Sequence, residues 1–118
     1  MLRDYRGKCR VYLACGYTDL RKGIDGLALL VKEQFHLDPY EQSLFLFCGR
    51  RQDRIKALLF EGDGFLLLYK RLEKDRYQWP RTADELREIS PQEYRWLMDG
   101  LTLDPKQKIR QSGPYLLG

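Results

Sequence analysis

The sequence predicts a single α+β domain: an antiparallel sheet of about four strands, one long helix packed on it and a short C-terminal helix. Three observations carry that prediction. Apolar runs of strand length occupy residues 11–15, 43–48, 54–61 and 65–73, with a glycine or polar turn after each. Residues 20–35 instead carry their apolar side chains at helical spacing. Ser90-Pro91-Gln92-Glu93 spells a second helix start.

In the first strand Val11, Leu13 and Cys15 alternate with Tyr12 and Ala14, and Gly16 breaks the run. Thr18 is placed to cap the long helix, and Asp19 to sit in its first turn, where a carboxylate suits the dipole and the free amide groups. Leu20, Ile24, Leu27, Ala28, Val31 and Phe35 then share one helical face. Gly23 and Gly26 each cost about 1 kcal/mol relative to alanine in a helix interior, which points to a close neighbour, either the sheet or a partner. The helix is expected to end near His36, because Pro39 disfavours helix at Asp38.

Residues 43–48 are apolar on both faces and read as a central buried strand. The polar, basic loop Gly49-Arg50-Arg51-Gln52-Asp53 leads into the strand 54–61. Gly62-Asp63-Gly64 is a hairpin turn, rich in residues that tolerate positive φ. The strand 65–73 follows, with 76–79 as its continuation past a Lys74-Asp75 bulge or turn, and Pro80 stops it. Ser90 and Glu93 form a capping box with Pro91 at the first helical position. Tyr94, Leu97, Met98 and Leu101 make the apolar stripe of that helix, and Gly100 closes it. The compact part spans about residues 10–103; the basic tail 105–118, with Lys106, Lys108 and Arg110, is expected to fray. Strands apolar on both faces need a second cover, which the short helix or a second subunit can supply, so a homodimer is one option.

Composition excludes more than it selects. The 118 residues suit one domain, and 43% hydrophobic with 32% charged residues describes a globular chain. The net charge of +4, from 21 basic and 17 acidic residues, allows contact with nucleic acid or an acidic surface without demanding either. No apolar core follows the N-terminal charges as in a signal peptide, and no apolar run approaches the ~18 residues of a spanning helix. Cys9, Cys15 and Cys48 are odd in number and read as reduced thiols of a cytoplasmic protein. A lone histidine, His36, with no closely spaced cysteine pair, gives neither a metal site nor a general base for a nucleophile. No phosphate loop is present, and no cofactor is implied. The carboxylates Asp19, Asp25, Asp53, Glu61 and Asp63 leave a metal-dependent nuclease as a third-ranked reading, resting on Asp19, Glu61 and Asp63. No catalytic residue is assigned.

The basic residues form the more useful constellation. Arg50, Arg51, Arg54 and Lys56 surround one hairpin end, and Lys70, Arg71, Lys74 and Arg76 follow on the next strand, interleaved with Tyr69, Tyr77 and Trp79. Cations and aromatics at a sheet edge can hold phosphates and stack on bases. Equally, Asp53, Glu61, Glu73 and Asp75 can neutralise the patch, and Tyr77 and Trp79 can close the core. Arg21, one position past Leu20, points away from the core and stays free for a partner.

Val11-Tyr-Leu-Ala-Cys-Gly-Tyr-Thr-Asp-Leu-Arg-Lys-Gly-Ile-Asp-Gly-Leu27 resembles the opening signature of a family, the Orf2-like accessory proteins (TnpB) of IS66 insertion sequences. The resemblance continues through Arg50-Arg51, Asp53-Arg54-Ile55-Lys56, Glu61-Gly-Asp-Gly-Phe65, Tyr69-Lys-Arg-Leu-Glu73, Trp79-Pro80 and Leu97-Met-Asp-Gly-Leu101. It covers about residues 10–103. Leu20 stands where the family more often has methionine, and Tyr17 where a small residue or proline is common. The resemblance implies a protein encoded beside a larger DDE-type transposase and accessory to its transposition reaction, with no catalytic residues of its own. It implies the transposase as partner, with element DNA as a further candidate, and no membrane. The candidate contact residues are then Arg21, Arg50, Arg51, Arg54, Lys56, Lys70 and Arg71. Thr18, Asp19, Gly62, Asp63 and Gly64 are expected to be structural.

Overall fold

The computed structural model describes residues 10–81 and 85–103. Along the chain run β1 (Val11–Ala14), α1 (Ile24–Glu33), β2 (Leu44–Cys48), β3 (Arg54–Phe60), β4 (Phe65–Arg71), β5 (Leu86–Ile89) and α2 (Pro91–Met98). The strands form one sheet in the order β4-β3-β2-β1-β5. The architecture is α+β, but the sheet is mixed and five-stranded. β1 and β2 pair in parallel, with Val11 opposite Leu44, while every other pair is antiparallel. The helical connection between β1 and β2 is what permits this, since parallel neighbours need a crossover. The fifth strand was hidden by its brevity. It is four residues long, Arg87 and Glu88 stand at its centre, and as an edge strand it pairs only with β1.

Alternation of side chains divides the core into two layers. On one face Tyr12, Ala14, Phe45, Phe47 and Leu58 meet Leu27 and Val31 of α1, with the Tyr12 and Phe45 rings stacked at 5.5 Å. On the other, Val11, Leu13, Leu44, Leu46, Ile55 and Ala57 pack against Tyr94, Leu97 and Met98 of α2 and against Tyr77 and Trp79. The chain itself supplies the second cover. β2 is buried throughout, as a central strand apolar on both faces requires.

Segment 76–79 does not continue β4. Asp75 takes a positive φ of 68°, and the chain turns across the α2 face instead. There the Tyr77 amide donates to the Gln52 carbonyl at 2.7 Å and the Trp79 indole to the Ala14 carbonyl at 2.8 Å. Burial of the two rings outweighs further strand pairing at the sheet edge. Both are core residues.

α1 is also shorter than expected, ten residues beginning after Gly23, which offers no side-chain cap. Thr18 does not cap it. The Thr18 amide donates to the Cys48 carbonyl at 2.8 Å, anchoring the 17–22 segment to the end of β2 before helix can begin. Asp19 likewise serves its own turn rather than the amides of α1, accepting from the Arg21 amide at 3.0 Å. The two glycines mark no close approach of the sheet: space around Gly23 is open, and the atoms nearest to a Cβ on Gly26 would be those of Lys22, at 3.1 Å. α1 ends at Glu33, three residues before His36, whose φ is 58°.

α2 begins as its sequence requires. The Glu93 amide donates to Ser90 Oγ at 3.1 Å, and the Ser90 amide to Glu93 Oε1 at 2.9 Å. It ends in a Schellman pattern around Gly100 at φ 82°, with the Leu101 amide bonded to the Trp96 carbonyl and the Gly100 amide to that of Leu97. Leu101 therefore lies beyond the helix and is exposed rather than part of the stripe. The tail 105–118 lies outside the described residues.

Candidate functional site

β1 and β2 run in parallel, so both end at the same rim of the sheet, where β3 begins and β4 finishes. Three pieces of chain meet there. Leaving β1, residues 17–22 lie across the rim, held by the bond from the Thr18 amide to Cys48 and by Lys56 Nζ, which donates to the Lys22 carbonyl at 3.0 Å. Leu20 of this segment rests on Gly49, where a Cβ would stand 3.2 Å from Leu20 Cδ1. Only glycine permits so close an approach without a shift. The β2–β3 turn is closed by the Gln52 amide on the Gly49 carbonyl at 2.9 Å, and leaves Arg50 and Arg51 exposed. From β4, Tyr69 stands directly opposite Lys56, whose Nζ lies 5.8 Å from the ring centroid.

These pieces enclose an open cleft of about 840 Å³, lined among others by Tyr17, Asp19, Arg21, Arg50, Arg51, Arg54, Lys56 and Tyr69. Arg21, read from the first motif, and the cations of the hairpin, read from the second, thus form one surface. The sequence left them as separate candidates. Arg21 points away from the core with its side chain 91% exposed, yet it is not free: its Nε and Nη2 grip both Asp19 carboxylate oxygens at 2.9–3.2 Å. That guanidinium, with the Arg21 amide, holds the Asp19 carboxyl down at about 2. Arg54 lies 3.5 Å from Asp53. Arg50 and Arg51 form no ion pair among the described residues.

The remaining candidates divide. Arg71 is directly opposite Arg54 in the β3–β4 ladder and pairs with Glu73 at 3.4 Å, so it stands beside the cleft. Lys70 pairs in register with Ile55, which places it on the opposite face of the sheet. Gly62, Asp63 and Gly64 form the expected turn, with Gly62 at φ 96° and the Glu61 amide bonded to the Gly64 carbonyl. That turn is at the other end of β3, about 20 Å from the cleft at the usual rise per residue. Asp19 is therefore not brought to Glu61 or Asp63. No group of three or more potential metal ligands exists among the described residues.

Cys48, at the end of β2, is pushed up to about 12 by burial and by the nearby Asp53 charge; burial also raises Cys15. Neither presents a thiolate near neutral pH. Sequence reasoning missed Tyr17, noticed only as a departure from the family pattern, and Gly49, whose role depends on Leu20 folding back over it. No described helix is long and apolar enough to cross a membrane.

The family model described as IS66 Orf2 like protein matches residues 9–108, and the chain belongs to that family. It is 38% identical over 92 residues to the uncharacterized protein y4hO of Sinorhizobium fredii, covering 78% of this chain and 80% of that one. It is also 34% identical over 101 residues to the uncharacterized protein y4jC of the same organism, covering 86% of each. No solved structure gives a significant match. The family associates the chain with transposition of IS66-type insertion sequences in an accessory capacity.

Proposed function

We propose that the protein is a non-catalytic, cytoplasmic accessory factor for transposition of an IS66-type element, which acts with the separate DDE-type transposase by binding it or its complex with element DNA. One observation carries this reading: residues 17–21 and 49–56, from two separated blocks of family-like sequence, converge on a single exposed basic cleft. Residues needed only for the fold would be under no demand to gather exposed cations at one rim. Co-purification tests the proposal. Tagged protein should retain its cognate transposase, alone or with element-end DNA, and Arg50→Ala/Arg51→Ala should weaken retention without lowering the melting temperature. Failure to retain transposase at micromolar concentration, with and without DNA, would overturn it. Direct contact with nucleic acid through the basic hairpin is the second reading, favoured by Arg50 and Arg51 having no partners of their own among the described residues.

A further inference from the structure

We infer that the cleft is a binding site for single-stranded nucleic acid, with phosphates held by Arg50, Arg51 and Lys56 and a base stacked on Tyr69. This develops the second reading above and does not depend on whether the transposase itself is bound.

Charge is the first support. Five cations and two carboxylates line the cleft, a balance of +3 in one concavity against +4 for the entire chain. Asp19 is gripped by Arg21, which leaves Arg21 Nη1 without a hydrogen bond among the described residues, while Asp53 lies 3.5 Å from Arg54 without a hydrogen bond between them.

The aromatic residues decide the class of ligand. Tyr17 and Tyr69 line the cleft and remain 46% and 55% exposed. A duplex keeps its base faces inside the stack and would offer neither ring a face to stack on. Single strands present base faces that any aromatic ring can accept. An acidic protein segment could use the same arginines and rings, and the retention of nuclease-treated transposase below tells the two apart.

Fluorescence anisotropy of the whole protein with labelled oligothymidine of about 12 nucleotides, the matching oligouridine and a duplex of equal length tests the inference. Single strands should bind at least tenfold more tightly than duplex; the comparison of the deoxy and ribo oligomers tells which strand is preferred. Arg50→Ala/Arg51→Ala should reduce the slope of log affinity against log salt by about 1.4, at ~0.7 per phosphate contact. Tyr69→Leu should weaken binding about fivefold to a hundredfold while Tyr69→Phe retains it, since stacking needs the ring and not the hydroxyl. Lys70→Ala, on the other face, should change affinity little. Equal affinity for duplex, wild-type affinity in Tyr69→Leu, or no binding to either single strand at low salt would each overturn the inference. If nuclease-treated transposase is still retained in that event, the accessory role stands and the cleft is a protein-binding surface.

Discussion

Replacing Trp79 by phenylalanine should be among the most damaging conservative changes in the chain. The indole is 3% exposed, and its N–H donates to the Ala14 carbonyl at 2.8 Å, joining the 72–81 segment to the first strand across 65 positions of sequence. Phenylalanine keeps most of the apolar contact but has no donor. A buried carbonyl deprived of its partner costs about 1–3 kcal/mol. The smaller ring also leaves a void, and scaling from complete truncation of aromatic residues adds roughly 1 kcal/mol. A loss of about 2–4 kcal/mol is therefore expected. With ~2.1 cal/mol/K per residue of unfolding entropy, 118 residues give ~0.25 kcal/mol/K, so the melting temperature should fall by about 8–16 °C. Urea titration followed by far-ultraviolet circular dichroism reads the change directly, at unchanged m-value. A loss below about 1 kcal/mol would refute the reasoning, because it would mean that the indole is not seated against β1.

Ser90→Ala removes the hydroxyl that accepts the Glu93 amide and should cost about 1 kcal/mol in the same titration, whereas Ser90→Asp should cost less. The Asp19 carboxyl, followed by NMR, should titrate near 2, and Arg21→Ala should return it toward the ordinary value of 3.8. Because the folded-state value is depressed, the stabilisation from this pair is complete above about pH 4 and is lost as pH falls through about 2. In a Cys9→Ser background, Cys15 and Cys48 should react with a thiol reagent at mildly alkaline pH only at the rate of unfolding; fast reaction of the native protein would contradict their burial.

Elements governed by local rules were legible in the sequence, and those governed by distant partners were not. The capping box of α2, the Gly62–Gly64 turn and the buried run of β2 each depend on residues within a few positions of one another, and each stands where the pattern puts it. The start of α1 was misread because Thr18 has the right side chain for a cap, while its amide is claimed by Cys48, thirty positions on. β5 was missed since Leu86 and Ile89 face opposite layers, which removes any alternation, and only β1 beside them makes the segment a strand. The cleft was half visible. Its cations and Tyr69 could be picked out, but not their union with Arg21, which follows from the parallel pairing of β1 with β2. Nor could the pattern show that Lys70 faces away, because an alternating strand read without its neighbours does not say which side holds α1.

That same parallel pairing sets when the cleft is complete. The β3–β4 hairpin closes over as few as five positions, from Phe60 to Phe65, whereas β1 waits for β2, thirty-three positions later, and for β5, as many as seventy-eight. Closing long loops is slow relative to a hairpin. Local contacts alone bring Arg54, Lys56 and Tyr69 together on the β3–β4 hairpin, whereas Arg50 and Arg51 belong to the β2–β3 turn and the 17–22 segment arrives from the other side of the crossover. Only the completed sheet brings Tyr17 and Arg21 to the same rim, so the cleft exists as a whole only in the fully folded chain.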